Sequence, residues 1–213
     1  MVLTARSLAT QLGRWPIAAL VCALVAAALV LPGLDGPGLW EPHERVLADR
    51  VAPPRGAAPT PTPPAVVTAD GCVRSAPPEA TARTLTPRAI AWGRDHLGDS
   101  DRGRRLPLAV LGLLTALAAA GVAWRLVGGR AAVVSTLVLV AMPLFTVQAR
   151  SLTSEIGTAC GGALLVYGGV ALADRRRARG LLTQLADAAV ALAALAAGAW
   201  LGFASGGALL GVL

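Results

Sequence analysis

The 213-residue chain is 55% hydrophobic with a mean hydropathy of +0.63, which excludes an ordinary soluble domain and fits several runs of membrane-spanning length. Its net charge of +7 comes entirely from arginine on the basic side, yet aromatics are only 4% and no nucleic-acid motif is present. The charge is therefore read as arginines at membrane edges, with no nucleic-acid partner, and the three cysteines offer neither a disulfide framework nor a CxxC metal site.

Residues 1–14 are a polar lead containing Arg6 and Arg14. The apolar run at 15–33 is read as a retained first span, since it is long for the core of a cleaved signal. Directly after it comes Leu39-Trp40-Glu41-Pro42-His43-Glu44-Arg45, where two carboxylates and an imidazole crowd beside a tryptophan. Pro42 suits the first turn of a helix, and Glu44 would sit near that helix's positive end. Val46, Leu47 and Val51 would give the helix an apolar side for the membrane surface.

This motif opens a long loop, residues 34–105. Within it the Pro- and Thr-rich stretch 57–64 predicts an extended, polyproline-like linker. Thr86-Pro87 through Leu97 predicts an amphipathic helix with Ile90, Trp92 and Leu97 partly buried. Further spans are expected at 106–127, 131–149, 156–173 and 181–204. Gly128-Gly129 turns the chain after the first of these, and Pro143 lies near the end of the next. Ser205-Gly206-Gly207 is expected to break the last of them, so that 205–213 starts a sixth apolar run. The chain then reads as the N-terminal part of a longer protein.

The arginines set the expected orientation. Arg6 and Arg14, then Arg125 and Arg130, then Arg175, Arg176, Arg177 and Arg179 in the turn at 174–180, fall on one side if every span crosses. The positive-inside rule makes that side, and the N-terminus, cytoplasmic. The loop 34–105 and the turn around 148–155 then share the extracytoplasmic face. Two separated polar sites fall on that face: Glu41, His43 and Glu44, and the pair Arg150 and Glu155. Carboxylates at the boundary can act as general bases or hold a divalent metal ion, and an arginine fork can grip a phosphate. That set suits a substrate with a lipid tail in the bilayer and a phosphate at its surface. Taken singly, each of these charges fits a solvated span end better than a functional role, since charges just outside a span are usually solvated ends. Arg104 and Arg105 are expected to be stop-transfer or headgroup contacts, Asp187 to pair with an arginine of 175–179, and His96 to be a loop histidine.

The order of motifs is similar to the N-terminal half of the polyprenyl-phosphate-sugar glycosyltransferases of family 39, which include protein O-mannosyltransferases and aminoarabinose transferases. Arg105-Leu106-Pro107 resembles that family's RLP at the second span. Pro143 with Gln148-Ala149-Arg150 resembles its proline with Q-x-R, and Thr153-Ser154-Glu155 its T-x-E. Leu39-Trp40-Glu41-Pro42-His43-Glu44 resembles its first-loop LW-x-P-D-E, and Ser205-Gly206-Gly207 its S-K-G turn. The resemblance implies an all-α integral membrane bundle of the type C glycosyltransferase kind, in a bacterial inner membrane. It implies a polyprenyl-phosphate sugar donor and a protein or lipid acceptor, with membrane lipids around them. Glu44, or His43 with it, would be the base. Arg150 would hold the phosphate, Glu155 would orient acceptor or metal, and Glu41 would line the same site.

Two departures stand out. His43 occupies the family's aspartate position, and a histidine can accept a proton near neutral pH but offers no hard oxygen to a divalent ion. The lysine of the S-K-G turn is Gly206, and the family's Lys-Pro-Pro-Leu motif is replaced by Leu85-Thr86-Pro87-Arg88. These departures keep a non-catalytic membrane subunit of the same fold in view. A small transporter fits less well, because the ionisable residues sit at span ends rather than mid-span.

Overall fold

The structure, a computed structural model, describes residues 15–35, 85–152, 155–174 and 181–210. Among these residues every regular element is an α-helix: α1 Trp15–Val30, α2 Leu85–Leu97, α3 Asp101–Leu126, α4 Gly129–Ala141, α5 Pro143–Arg150, α6 Glu155–Asp174 and α7 Leu181–Leu210. The acidic motif 39–45, the linker 57–64, Cys72 and the arginines of 175–179 lie outside the described residues.

Helix α1 carries no charge, and its 16 residues give a length of about 24 Å. It stops at Val30 because Pro32 cannot donate a backbone hydrogen bond and Gly33 adopts a left-handed φ of +79°. The helix is thus shorter than the run 15–33 expected to span, and shorter than the roughly 20 residues a bilayer core requires. Ile17, Leu20 and Leu24 form its exposed apolar stripe, while Cys22, Ala26 and Val30 are buried.

The amphipathic helix expected at 86–97 is α2. Thr86, Ile90 and Gly93 form its buried face. Trp92 and Leu97, expected to be partly buried, are instead about half exposed, at 52% and 45%. Trp92 stacks on His96 one turn later, with ring centroids 5.0 Å apart, and His96 Nδ1 lies 3.0 Å from the Trp92 carbonyl. His96 therefore ends a helix rather than sitting in a loop. Gly93 lets α2 cross α3 closely, since a Cβ there would stand 2.8 Å from Pro107 Cγ.

Helix α3 starts five residues before the expected span. The Ser100 hydroxyl caps it by accepting from the Gly103 amide at 3.1 Å, and Asp101 sits in its first turn. The segment expected as one span at 131–149 is two helices bent by 73° at Met142. Proline excludes helical geometry from the residue before it, so Met142 is extended (φ −69°, ψ 117°), and Pro143 restarts the helix at its first position. The break expected at Ser205-Gly206-Gly207 does not occur, because α7 runs through to Leu210. Ser205 is buried against α6, where a Cβ on Gly157 would stand 2.9 Å from Ser205 Cβ.

Among the described residues three helices are long and apolar enough to cross a membrane, α3, α6 and Leu182–Ser205 of α7, and up to four if α4 and α5 form one broken span. That is fewer than the five expected from apolar runs alone. The difference lies in the short α1 and the kink at Met142. Gly112 faces Ala149 and Ile156 while Gly121 faces Tyr167, so α3 and α6 run in the same direction. Gly157 faces Ser205 and Gly168 faces Leu195, so α6 and α7 are antiparallel. The main core is Val30, Leu34, Ile90, Leu108, Leu152 and Ile156 with small alanines between them. It gathers toward the end of the bundle where α1 stops and α3 and α6 begin.

Candidate functional site

At that end, two arginines hold the backbone where α1 stops. The last carbonyls of any helix lack intrahelical partners, and α1 ends against apolar neighbours. Arg150, the last residue of α5, donates from Nε to the Val30 carbonyl at 3.2 Å and from Nη2 to the Leu29 carbonyl. A guanidinium at a helix C-terminus also faces the negative end of the dipole. Gly33 lies over the same group, where a Cβ would stand 4.0 Å from Arg150 Nη1. Arg105 is 5% exposed, and its Nη1 donates to the Leu34 carbonyl at 3.4 Å.

Arg104 and Arg105 thus part company, although both were expected at the headgroups. Arg104 pairs with Asp99 at 2.6 Å on the surface, while Arg105 turns inward. Asp35 and Arg102 meet at 3.9 Å, but both are about two-thirds exposed and the pair contributes little.

Glu155 opens α6 as an exposed carboxylate in the first helical turn. Buried Leu152 and Ile156 on either side pin this segment to the core. Arg150 and Glu155 therefore share one end of the bundle with the end of α1. Glu41, His43 and Glu44 lie outside the described residues, but the chain leaves the described part at Asp35, six positions before Glu41, at this same end. Among the described residues no three His, Cys, Asp or Glu side chains come together, so these residues do not form a metal site by themselves.

The opposite end carries a separate charge cluster. Arg125 Nη2 lies 3.5 Å from Asp187, Nη1 lies 3.9 Å from Asp174, and the guanidinium carbon is 5.5 Å from the Tyr167 ring centroid. Asp187, expected to pair within 175–179, is thus next to Arg125 of α3. This cluster ties three helices together.

Sequence reading missed Arg105 as a buried anchor. An arginine at the head of an apolar run reads the same whether solvated or buried, and the carbonyl it meets lies 71 positions away. The double clamp on α1 gives a direct expectation. Arg150→Gln should lower thermal stability in detergent by about 1–3 kcal/mol, since the Leu29 and Val30 carbonyls lose their donors. Arg150→Lys should recover only part, because lysine lacks the planar fork. A melting temperature unchanged in both variants would show that the clamp is not needed.

An all-helical bundle with at least three helices able to cross a membrane, closed at one end by arginines and an exposed glutamate, defines an integral membrane protein of the glycosyltransferase kind once its family is known. Residues 85–211 match the dolichyl-phosphate-mannose-protein mannosyltransferase family. The chain belongs to that family, of the glycosyltransferase family 39 kind. Searches against curated proteins and against solved structures found no match.

Proposed function

We propose that this protein takes a sugar from a polyprenyl-phosphate donor and passes it to a protein or lipid acceptor on the extracytoplasmic face of a bacterial inner membrane, with its N-terminus in the cytoplasm. The family match over 85–211 is the observation that carries this reading. The placement of Arg150, Glu155 and the end of α1 at one end of the bundle supports it. A lipid phosphate must stay at headgroup level while its sugar meets the acceptor, so base and phosphate clamp must converge there. Glu44 with His43 would take the acceptor's proton. Arg150 uses two of its five donors on α1, and its remaining donors would face the phosphate. Glu155 and Glu41 would orient the acceptor.

The test is transfer of the sugar from its lipid donor. Membranes containing the protein, given a radiolabelled polyprenyl-phosphate sugar and the membrane's own acceptors, should move label from the lipid to protein or lipid. No transfer above control membranes would overturn the reading. It would favour the non-catalytic subunit that His43 and the missing lysines suggest. The orientation has its own check. Cys22 and Cys160 are buried, so a membrane-impermeant maleimide should report Cys72. Labelling is expected in intact cells, and labelling only after permeabilisation would reverse the topology.

A further inference from the structure

The bundle's other end holds a groove of about 1050 Å³ between the start of α1 and the turn joining α3 to α4. Ile17 and Val21 form one wall, Val133 and Val134 the other, and Trp124 lies against the Gly129 backbone beside them. The volume is just above the usual range for small-molecule pockets, about 300–1,000 Å³. The two walls are hydrocarbon side chains, so an apolar chain fits between them and a polar solute does not.

Arg130, also a lining residue, is exposed and carries the groove's positive charge. Among the described residues no carboxylate lies within ion-pair distance of it, whereas Arg125, five residues earlier, sits between Asp174 and Asp187. The start of α4 adds to that charge. Its N-cap is Gly128, which has no side chain to accept from the first amides of the helix. A helix start without a capping side chain favours an anion, and here it borders the same groove.

An apolar slot ending in a cation is complementary to a molecule with a hydrocarbon tail and an anionic head. We propose that this groove binds one acyl chain of an anionic phospholipid, with the phosphate held by Arg130 and the first amides of α4. It is a lipid site at the opposite end from the candidate active site, and it stands whether or not the protein transfers sugars. Arg130 differs here from a general membrane-edge arginine because it lines an apolar groove of about 1050 Å³.

The purified full chain would be reconstituted into phosphatidylcholine vesicles containing an equal mole fraction of either brominated phosphatidylglycerol or brominated phosphatidylcholine. Bromine quenches tryptophan fluorescence on contact, and the Trp124→Phe protein supplies the background to subtract. Quenching of the Trp124 signal should be about fivefold more efficient with the glycerol lipid, the equivalent of about 1 kcal/mol for one arginine near an anionic surface. Arg130→Gln should remove the preference, and Arg130→Lys should keep it. Val134→Phe, which fills the groove, should reduce quenching by both lipids. Equal quenching by the two lipids, or a preference that survives Arg130→Gln, would reduce the groove to ordinary bilayer contact. No quenching by either lipid would mean that protein, such as the segment 1–14, covers Trp124, and would overturn the proposal.

Discussion

Glu44→Gln should lower sugar transfer by about two orders of magnitude or more, the usual scale for removing a general base. Glutamine keeps the size of the side chain and one accepting oxygen, so it removes the proton acceptor with little change in shape. Binding and folding should therefore be nearly intact, and the loss should appear in the turnover rate rather than in expression or melting temperature. Asp35→Asn is the control. Asp35 is an exposed carboxylate of the described turn with only a weak ion pair to Arg102, and its loss should leave the rate within a factor of about two. Equal rates for Glu44→Gln and the wild type would remove Glu44 from the mechanism. His43→Asp sharpens the test because it restores the family's pattern. A faster rate, or a new dependence on a divalent ion, would mark His43 as an altered catalytic position. An unchanged rate with no metal dependence would leave that position without a role.

Gly161→Leu should separate α6 from α7 and greatly reduce recovery of folded protein. A Cβ at Gly161 would stand 2.6 Å from the Gly202 amide nitrogen, 2.8 Å from the Gly198 carbonyl oxygen and 2.9 Å from Gly202 Cα. These are backbone atoms on the opposing helix, so no side chain can rotate away and the helices themselves must move apart. Overpacking typically costs about 1–3 kcal/mol, and a backbone clash of this kind belongs at or above the top of that range. Gly162 is the paired control. One position further along the same helix, a Cβ would meet nothing within 4 Å. Gly162→Leu should change stability by less than about 0.5 kcal/mol, as surface substitutions do, and leucine's better helix propensity favours the folded side. Thermal denaturation followed by size-exclusion in detergent reads both. Similar losses in the two variants would show that α6 and α7 do not pack through this face.

The contrast between these neighbours shows where reading from residues alone stops. The sequence Thr-Ala-Cys-Gly-Gly from Thr158 to Gly162 offers two adjacent glycines with identical chemistry. Only the antiparallel docking of α7 sets one of them against a neighbouring backbone and leaves the other in open space. The same holds for Arg104 and Arg105, adjacent and alike, of which one meets Asp99 on the surface and the other the Leu34 carbonyl inside. Asp187 is another case, since its partner Arg125 lies on a helix that sequence distance does not connect to it. The break expected at Ser205-Gly206-Gly207 failed for a related reason. Small residues that loosen an isolated helix are the residues that let two helices approach closely, and the neighbour decides which effect prevails.

What the sequence by itself determined is the set of features that depend on near neighbours along the chain. Uninterrupted apolar runs, with no water to pair their backbone groups, had to become helices. Pro87 near the start of α2 and Ile90 on its buried face marked the amphipathic helix. The ordered motifs around Arg105, Pro143, Arg150 and Glu155 pointed to the family that the match over 85–211 then showed. What only the tertiary structure decided is which end of each helix meets which. Arg150 comes to the last carbonyls of α1, 120 positions away for Val30, because α5 turns by 73° after Met142 and packs beside that terminus. The local rule that excludes helix before proline makes the bend legible, but its direction and the carbonyls it brings Arg150 to depend on the packing of α1 against α3, α4 and α5, which no stretch of sequence contains.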